Sequence, residues 1–131
     1  MSEEFFDEDK NLSETETFIM KTIWDLGGDK GDVALGDLIE AINTDHQKDY
    51  ARTTIATFLL KLSSKGFVRT YRKGKLSFIR VLKSETEYRN KLMQGQKDFW
   101  FRGNIADMIK AMCESEKMPA DKIEKISELL G

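Results

Sequence analysis

Residues 51–83 read ARTTIATFLLKLSSKGFVRTYRKGKLSFIRVLK, and the period of the apolar positions changes partway along. Ile55, Phe58, Leu59 and Leu62 fall at i, i+3, i+4 and i+7, one apolar stripe of a helix over about 51–65 that Gly66 ends. Beyond it the alternation has period two: Phe67 to Arg72, a turn at Lys73-Gly74-Lys75, then Leu76 to Val81. This is a β-hairpin with a glycine turn and a cationic tip. The same stretch holds Arg52, Lys61, Lys65, Arg69, Arg72, Lys73, Lys75, Arg80 and Lys83, and no Asp or Glu. The whole chain of 131 residues has 21 basic and 23 acidic residues and a net charge of −2, so this block is an anomaly. Unopposed positive charge on a helix and hairpin is the footprint expected for a polyanion, most often nucleic acid.

Upstream, Ser13-Glu14-Thr15-Glu16 is a capping box, in which the Ser13 hydroxyl and the Glu16 carboxylate each satisfy a backbone N–H. Phe18, Ile19, Ile23 and Leu26 then take helical spacing, flanked by Met20 and Trp24, until Gly27-Gly28 stops the helix. Gly31 to Val33 is a connection with room for one short extended segment. A second helix follows over about 35–44, with Leu35, Leu38, Ile39 and Ile42 on its buried side. Asn43 to Asp49 is polar and reads as a turn or loop. Residues 1–11, acidic with Phe5 and Phe6, are expected to be a flexible tail.

Downstream, Ser84-Glu85-Thr86-Glu87 repeats the capping box and starts a fourth helix, which runs to about Asp98 and is broken by Phe99 to Gly103. Asn104 and Asp107 can cap a fifth, and Pro119 suits the first turn of a sixth. The fold class is mainly α with a small β-hairpin: a winged helix-turn-helix domain over 12–83, then three helices over 84–131. Those three are a poor core by themselves. Their apolar residues are better buried against a second copy, which makes 84–131 a dimerisation region. Its contact set is Tyr88, Leu92, Phe99, Trp100, Ile105, Met108, Ile109, Met112, Ile123, Ile126, Leu129 and Leu130.

Other functional classes find little support. No run approaches the ~18 apolar residues of a membrane span, so no membrane insertion is expected. The acidic N-terminus has the wrong sign for a signal, and a cytoplasmic setting fits. The single Cys113 excludes an internal disulfide and any multi-cysteine metal cluster; beside a helical apolar stripe, it is expected to be buried. His46, between Asp45 and Asp49, lacks the ligands of a metal site and reads as a surface turn. No nucleophile–base pair, Walker motif or Rossmann motif is present, so neither an enzyme nor a cofactor is expected.

On the third helix, the face opposite the apolar stripe carries Thr53, Ala56, Thr57, Leu60 and Ser64, with Arg52 at its N-terminal end. Small and hydroxyl side chains let a helix approach base edges, and arginine can fork onto guanine. Base contacts are therefore assigned to Arg52, Thr53, Ala56 and Thr57, at the end of a recognition helix that enters the major groove. Contacts to the DNA backbone are assigned to Tyr50, Lys61, Lys65 and the wing residues Arg72, Lys73 and Lys75. The alternative is a winged-helix module whose basic face binds an acidic protein partner.

Leu12 to Glu16 followed by Ile19 to Trp24 resembles the opening helix of the penicillinase-repressor family, the BlaI/MecI-type repressors. Tyr50 to Leu62, with Lys65-Gly66-Phe67-Val68 after it, is similar to that family's recognition helix and entry to its wing. Tyr71 to Phe78 resembles the wing, and Phe101 with Gly103 the turn between dimerisation helices. The resemblance implies a homodimeric repressor bound to a palindromic operator of double-stranded DNA, often with TACA/TGTA-like half-sites. It also implies, as in several relatives, cleavage within the dimerisation region triggered by a membrane sensor protease. The chain departs from the pattern in its acidic tail and in a 43–49 turn about two residues longer than usual. It also lacks the C-terminal cysteine motif of copper-responsive relatives and an Asn-Phe bond like the one cut in some relatives.

Overall fold

The computed structural model describes residues 11–45 and 49–130; the reading of residues 1–11 as a tail, apart from Asn11, and that of His46 as a surface turn fall outside them. Chain order is α1 (Glu14–Asp25), β1 (Val33–Ala34), α2 (Leu35–Glu40), a π-helical turn (Ala41–Asp45), α3 (Arg52–Ser64), β2 (Val68–Lys73), β3 (Leu76–Val81), α4 (Glu85–Phe101), α5 (Ile105–Ser115) and α6 (Ala120–Leu129). The strands form one antiparallel sheet in the order β1-β3-β2. Three helices followed by a hairpin, with a short strand from the α1–α2 connection added to the hairpin's edge, is a winged helix-turn-helix. The chain divides into two compact units between Arg89 and Asn90.

In the first unit, helix ends are set by local chemistry. The capping box of α1 is complete: Glu16 N–H donates to Ser13 Oγ at 3.2 Å, and Ser13 N–H donates to Glu16 Oε1 at 2.7 Å. Both α1 and α3 end in a Schellman motif. At α3, Phe67 N–H reaches the Leu62 carbonyl and Gly66 N–H that of Ser63, each at 3.0 Å, with Gly66 at φ +83°. Leu62 and Phe67, which this backbone bond joins, are both fully buried.

The core gathers Ile19, Met20 and Ile23 of α1, Leu38 and Ile42 after it, Ile55, Leu59 and Leu62 of α3, and Phe67, Val68 and Ile79 of the wing. Several expectations change. Met20 and Trp24 belong to the core instead of flanking it, and Leu26 is 39% exposed because it caps the end of α1. Phe58 is only half-buried, with the Lys61 ammonium 5.0 Å from its ring centroid. The second helix is α-helical only to Glu40, and the run from Asn43, expected as a turn, begins inside the π-helical turn. The fourth helix does not break at Phe99; it continues through Phe101, and the chain turns at Arg102 and Gly103, both with positive φ.

The second unit, residues 90–130, contains the rest of α4 with α5 and α6. Asn104 caps α5 by accepting from Asp107 N–H at 3.1 Å. Cys113 is buried, as expected, and is the one buried residue of α5; α6 has none.

Candidate nucleic-acid interface

The side-chain amide of Asn43 sets the entry to α3. It donates to the Tyr50 carbonyl at 3.1 Å and accepts from Tyr50 N–H at 2.9 Å. One residue on the π-helical turn thus fixes the backbone just before the helix. The start of α3 is chemically unlike that of its neighbours. Ala51 supplies no side-chain cap and the first turn holds no acid, whereas every other α-helix among the described residues has an acid there. Its N–H groups and positive dipole end remain open, the arrangement that attracts a phosphate.

Arg52, Thr53, Ala56, Thr57, Leu60, Lys61 and Ser64 are all exposed. Thr57 spends its hydroxyl proton on the Thr53 carbonyl at 2.9 Å, so outward it offers a methyl group and lone pairs only. Ala56 and Leu60 also border a cleft of about 230 Å³ against Thr70, Ser77 and Ile79 of the sheet. Leu60, 70% exposed, stands on the same exposed face of α3.

The hairpin register pairs Thr70 with Ile79, Arg72 with Ser77, Tyr71 with Phe78 and Arg69 with Arg80. Paired residues share a face. Arg72 and Thr70 therefore lie on the face of buried Val68 and Ile79, and Arg69, Tyr71, Lys73 and Arg80 on the opposite one. Lys73 pairs with Leu76, leaving a two-residue turn of Gly74 and Lys75. Only the first of these has positive φ, +65°, the II′ pattern in which glycine fits.

Charge in this block is not all available. The Lys65 ammonium, assigned to phosphate from sequence, is held by Glu16 Oε1 at 2.8 Å and by the Asn11 carbonyl at 2.9 Å, with its side chain only 21% exposed. Lys65 is thus corrected to a stability role: its partner carboxylate is 3% exposed and needs a counter-ion. Arg80 meets Asp32 through both Nε, at 3.3 Å, and a terminal nitrogen, at 3.2 Å. Tyr71 also donates its hydroxyl to Asp32, and the Arg80 guanidinium lies 5.5 Å from the Tyr71 ring centroid. Hydrogen bonds from Arg80 and then Tyr71 hold the Asp32 carboxyl below its ordinary range. Arg52, Arg69, Arg72, Lys73 and Lys75 have no acidic partner among the described residues.

Tyr88 is also corrected. It was assigned to dimerisation, but it is 8% exposed in the winged domain, edge-on to Phe67 at 5.1 Å and 6.0 Å from Trp24. Its hydroxyl accepts from Leu12 N–H at 3.1 Å. In the second unit the other assigned residues remain uncovered to differing degrees. Trp100, Ile105, Met112, Leu129, Leu130 and Phe99 are exposed, and Leu92, Met108, Ile109, Ile123 and Ile126 half-buried. Asp32 and Asn43 were given no role by the sequence reading, and Glu16 only its capping-box role, without the tie to Lys65. For Glu16 a signal existed, since a capping-box acid sits at a fixed place on α1, but nothing local marks its partner.

No group of metal-ligating side chains and no helix long and apolar enough to cross a membrane occurs among the described residues. A family model described as penicillinase repressor matches residues 12–131. The methicillin resistance regulatory protein MecI of Staphylococcus aureus is 25% identical over 120 residues, which is 92% of this chain and 93% of that protein. The protein of the same description from Staphylococcus epidermidis matches to the same extent. The solution structure of the DNA-binding domain of the repressor BlaI aligns at 22% identity with a TM-score of 0.49, covering 62% of this chain and 92% of that one. The chain belongs to the penicillinase repressor family and is a DNA-binding transcriptional repressor.

Proposed function

We propose that this repressor acts in the cytoplasm as a homodimer on a palindromic operator of double-stranded DNA. One α3 reads each half-site in the major groove, and each hairpin grips the flanking backbone. Arg52, Thr53, Ala56 and Thr57 make the base contacts; Lys61, Arg72, Lys73 and Lys75, with Tyr50 beside the helix entry, contact the DNA backbone. The observation that carries this is the pairing of an acid-free, uncapped α3 start with cations at Arg52, Arg72, Lys73 and Lys75 that have no acidic partner among the described residues. Its role is regulatory, with no catalytic step.

Dimerisation through 84–131 is supported by the apolar side chains that α4, α5 and α6 leave uncovered, among them Trp100, Ile105, Met112 and Leu129. Each large apolar side chain buried is worth about 1.5–3 kcal/mol. Two linked domains bind two half-sites with avidity. Any event that splits the dimer therefore lowers operator affinity without touching a DNA contact. The likeness to the BlaI/MecI-type repressors supports proteolysis within 84–131, driven by a membrane sensor protease, as that event.

Gel-shift titration against genomic fragments and a random duplex, at several salt concentrations, tests the DNA reading, and sizing in solution tests the dimer. The proposal expects selected fragments with two-fold symmetry and a dimeric mass. A micromolar monomer overturns the dimer; no affinity for any duplex at about 50 mM salt overturns the operator and favours an acidic protein partner.

A further inference from the structure

Two exposed arginines, Arg69 and Arg80, stand directly opposite each other across β2 and β3. Like charges in that position repel. Among the described residues only Arg80 meets a carboxylate, and that group comes from outside the hairpin. Asp32, in the connection leading to β1, takes Arg80 through two nitrogens and accepts the Tyr71 hydroxyl on the same carboxylate. Tyr71 in turn stacks on Phe78, with ring centroids 5.6 Å apart. Asp32 is thus tied to both wing strands, and its side chain is 26% exposed against 58% for Arg80.

Arg80 is the exception on the outer face of the wing. Arg69 and Lys73 share that face without an acidic partner among the described residues. A guanidinium forked onto a carboxylate has its charge offset and one of its forks occupied, so it grips a phosphate less strongly. We propose that Asp32 is a positioning residue that withholds Arg80 from phosphate, lowering the wing's sequence-independent grip on DNA. Specificity is the ratio of specific to non-specific affinity. A carboxylate that removes one indiscriminate contact raises that ratio without touching a base. The assignment rests on the DNA-binding reading and is independent of operator symmetry.

The test is the slope of log affinity against log salt for a random duplex, with the full chain. Each phosphate contact contributes about 0.9 to that slope. Asp32→Asn is expected to steepen it by about 0.9 and to raise low-salt affinity for the random duplex, with less gain on a selected fragment. Asp32→Asn combined with Arg80→Gln keeps the net charge of the wild-type pair and is expected to return the wild-type slope. Asp32→Glu is expected to hold it as well. A merely structural tie would change thermal stability in Asp32→Asn and leave the slope where it was; that result overturns the proposal. So does a double variant as steep as Asp32→Asn alone. If Asp32→Asn fails to fold by circular dichroism, Asp32→Ser carries the same comparison. A wild-type chain without affinity for any duplex refutes the DNA reading itself, whereas wild-type binding with unchanged variant slopes refutes only the role of Asp32.

Discussion

Glu16 Oε1 receives the Ser13 N–H at 2.7 Å and the Lys65 ammonium at 2.8 Å, so one buried oxygen both closes the cap of α1 and ties α1 to the end of α3. The pair lies 49 residues apart in sequence. Burial pushes the carboxyl pKa up, but the hydrogen bonds from Lys65 and Ser13 and the charge of Lys65 outweigh it and hold it below its ordinary value of 4.5.

Removing the cation is therefore costly in a specific way. Lys65→Met leaves a carboxylate at 3% exposure without its counter-ion, and a loss of about 2–4 kcal/mol in denaturant unfolding is expected. Lys73→Met, at the exposed wing, should stay within about 0.5 kcal/mol of wild type. The sign with pH follows from the depressed folded-state pKa. Stability from Glu16 is complete above the ordinary glutamate value and is lost as pH falls through the folded-state value. Glu16→Gln should flatten that acid limb of stability measured between about pH 6 and 3. An unchanged limb would mean that other carboxylates set it.

Asn43 holds the entry to α3 through both hydrogen bonds to Tyr50. Asn43→Ala removes both, for about 1–2 kcal/mol of stability, and frees the backbone just ahead of α3. Affinity for selected and random duplexes should both fall, because helix placement precedes every contact. Asn43→Asp keeps the acceptor for Tyr50 N–H but sets a carboxylate against the Tyr50 carbonyl, so it should fare no better than Asn43→Ala. Full affinity in Asn43→Ala at a temperature where it is folded would show that the turn needs no clamp.

Two glycines predict opposite outcomes. A Cβ on Gly28 would lie 2.7 Å from Val81 Cγ2 and 2.8 Å from the Ile23 carbonyl oxygen. The backbone atom cannot swing aside, so Gly28→Ala should cost about 1–3 kcal/mol. Gly36 lies within α2 with nothing within 4 Å of its Cβ position, and Gly36→Ala should add about 0.5–1 kcal/mol. Thermal unfolding of the two variants side by side checks the sign of each.

The parts of the fold legible in the sequence were those with local signals. Period 3.6 gave α3, period 2 with Gly74 gave the hairpin, and Ser13 with Glu16 gave the start of α1. The pairings Glu16–Lys65 and Asp32–Arg80 span 49 and 48 residues, and no local pattern encodes them. Counting cations overstated the available charge for that reason. Tyr88 read as part of the dimerising helices because α4 starts at Glu85; its packing on Trp24 and Phe67 is a tertiary fact. The aromatic run at 99–101 resembled a break, yet none of its residues forbids a helix, and the turn waits for Arg102 and Gly103.

The division of labour between helix and wing gives the last test. Arg52 opens α3 on the side proposed to enter a groove, and a bidentate contact to guanine is worth about 1–3 kcal/mol of discrimination. Arg52→Ala should thus lose affinity for a selected fragment, and lose it least on a fragment changed at one base pair. Lys73→Ala and Lys75→Ala remove cations from the hairpin tip, and phosphate contacts carry no sequence information. Each should weaken all duplexes alike and flatten the salt slope by about one unit. Thr57 refines the picture, because its hydroxyl proton is committed to the Thr53 carbonyl at 2.9 Å. If its outward contribution is the methyl group against thymine, Thr57→Val retains affinity while Thr57→Ser loses it at one position. Identical behaviour of the Arg52 and Lys73 variants on selected and random duplexes would mean that α3 grips backbone as the wing does, and that sequence is read elsewhere.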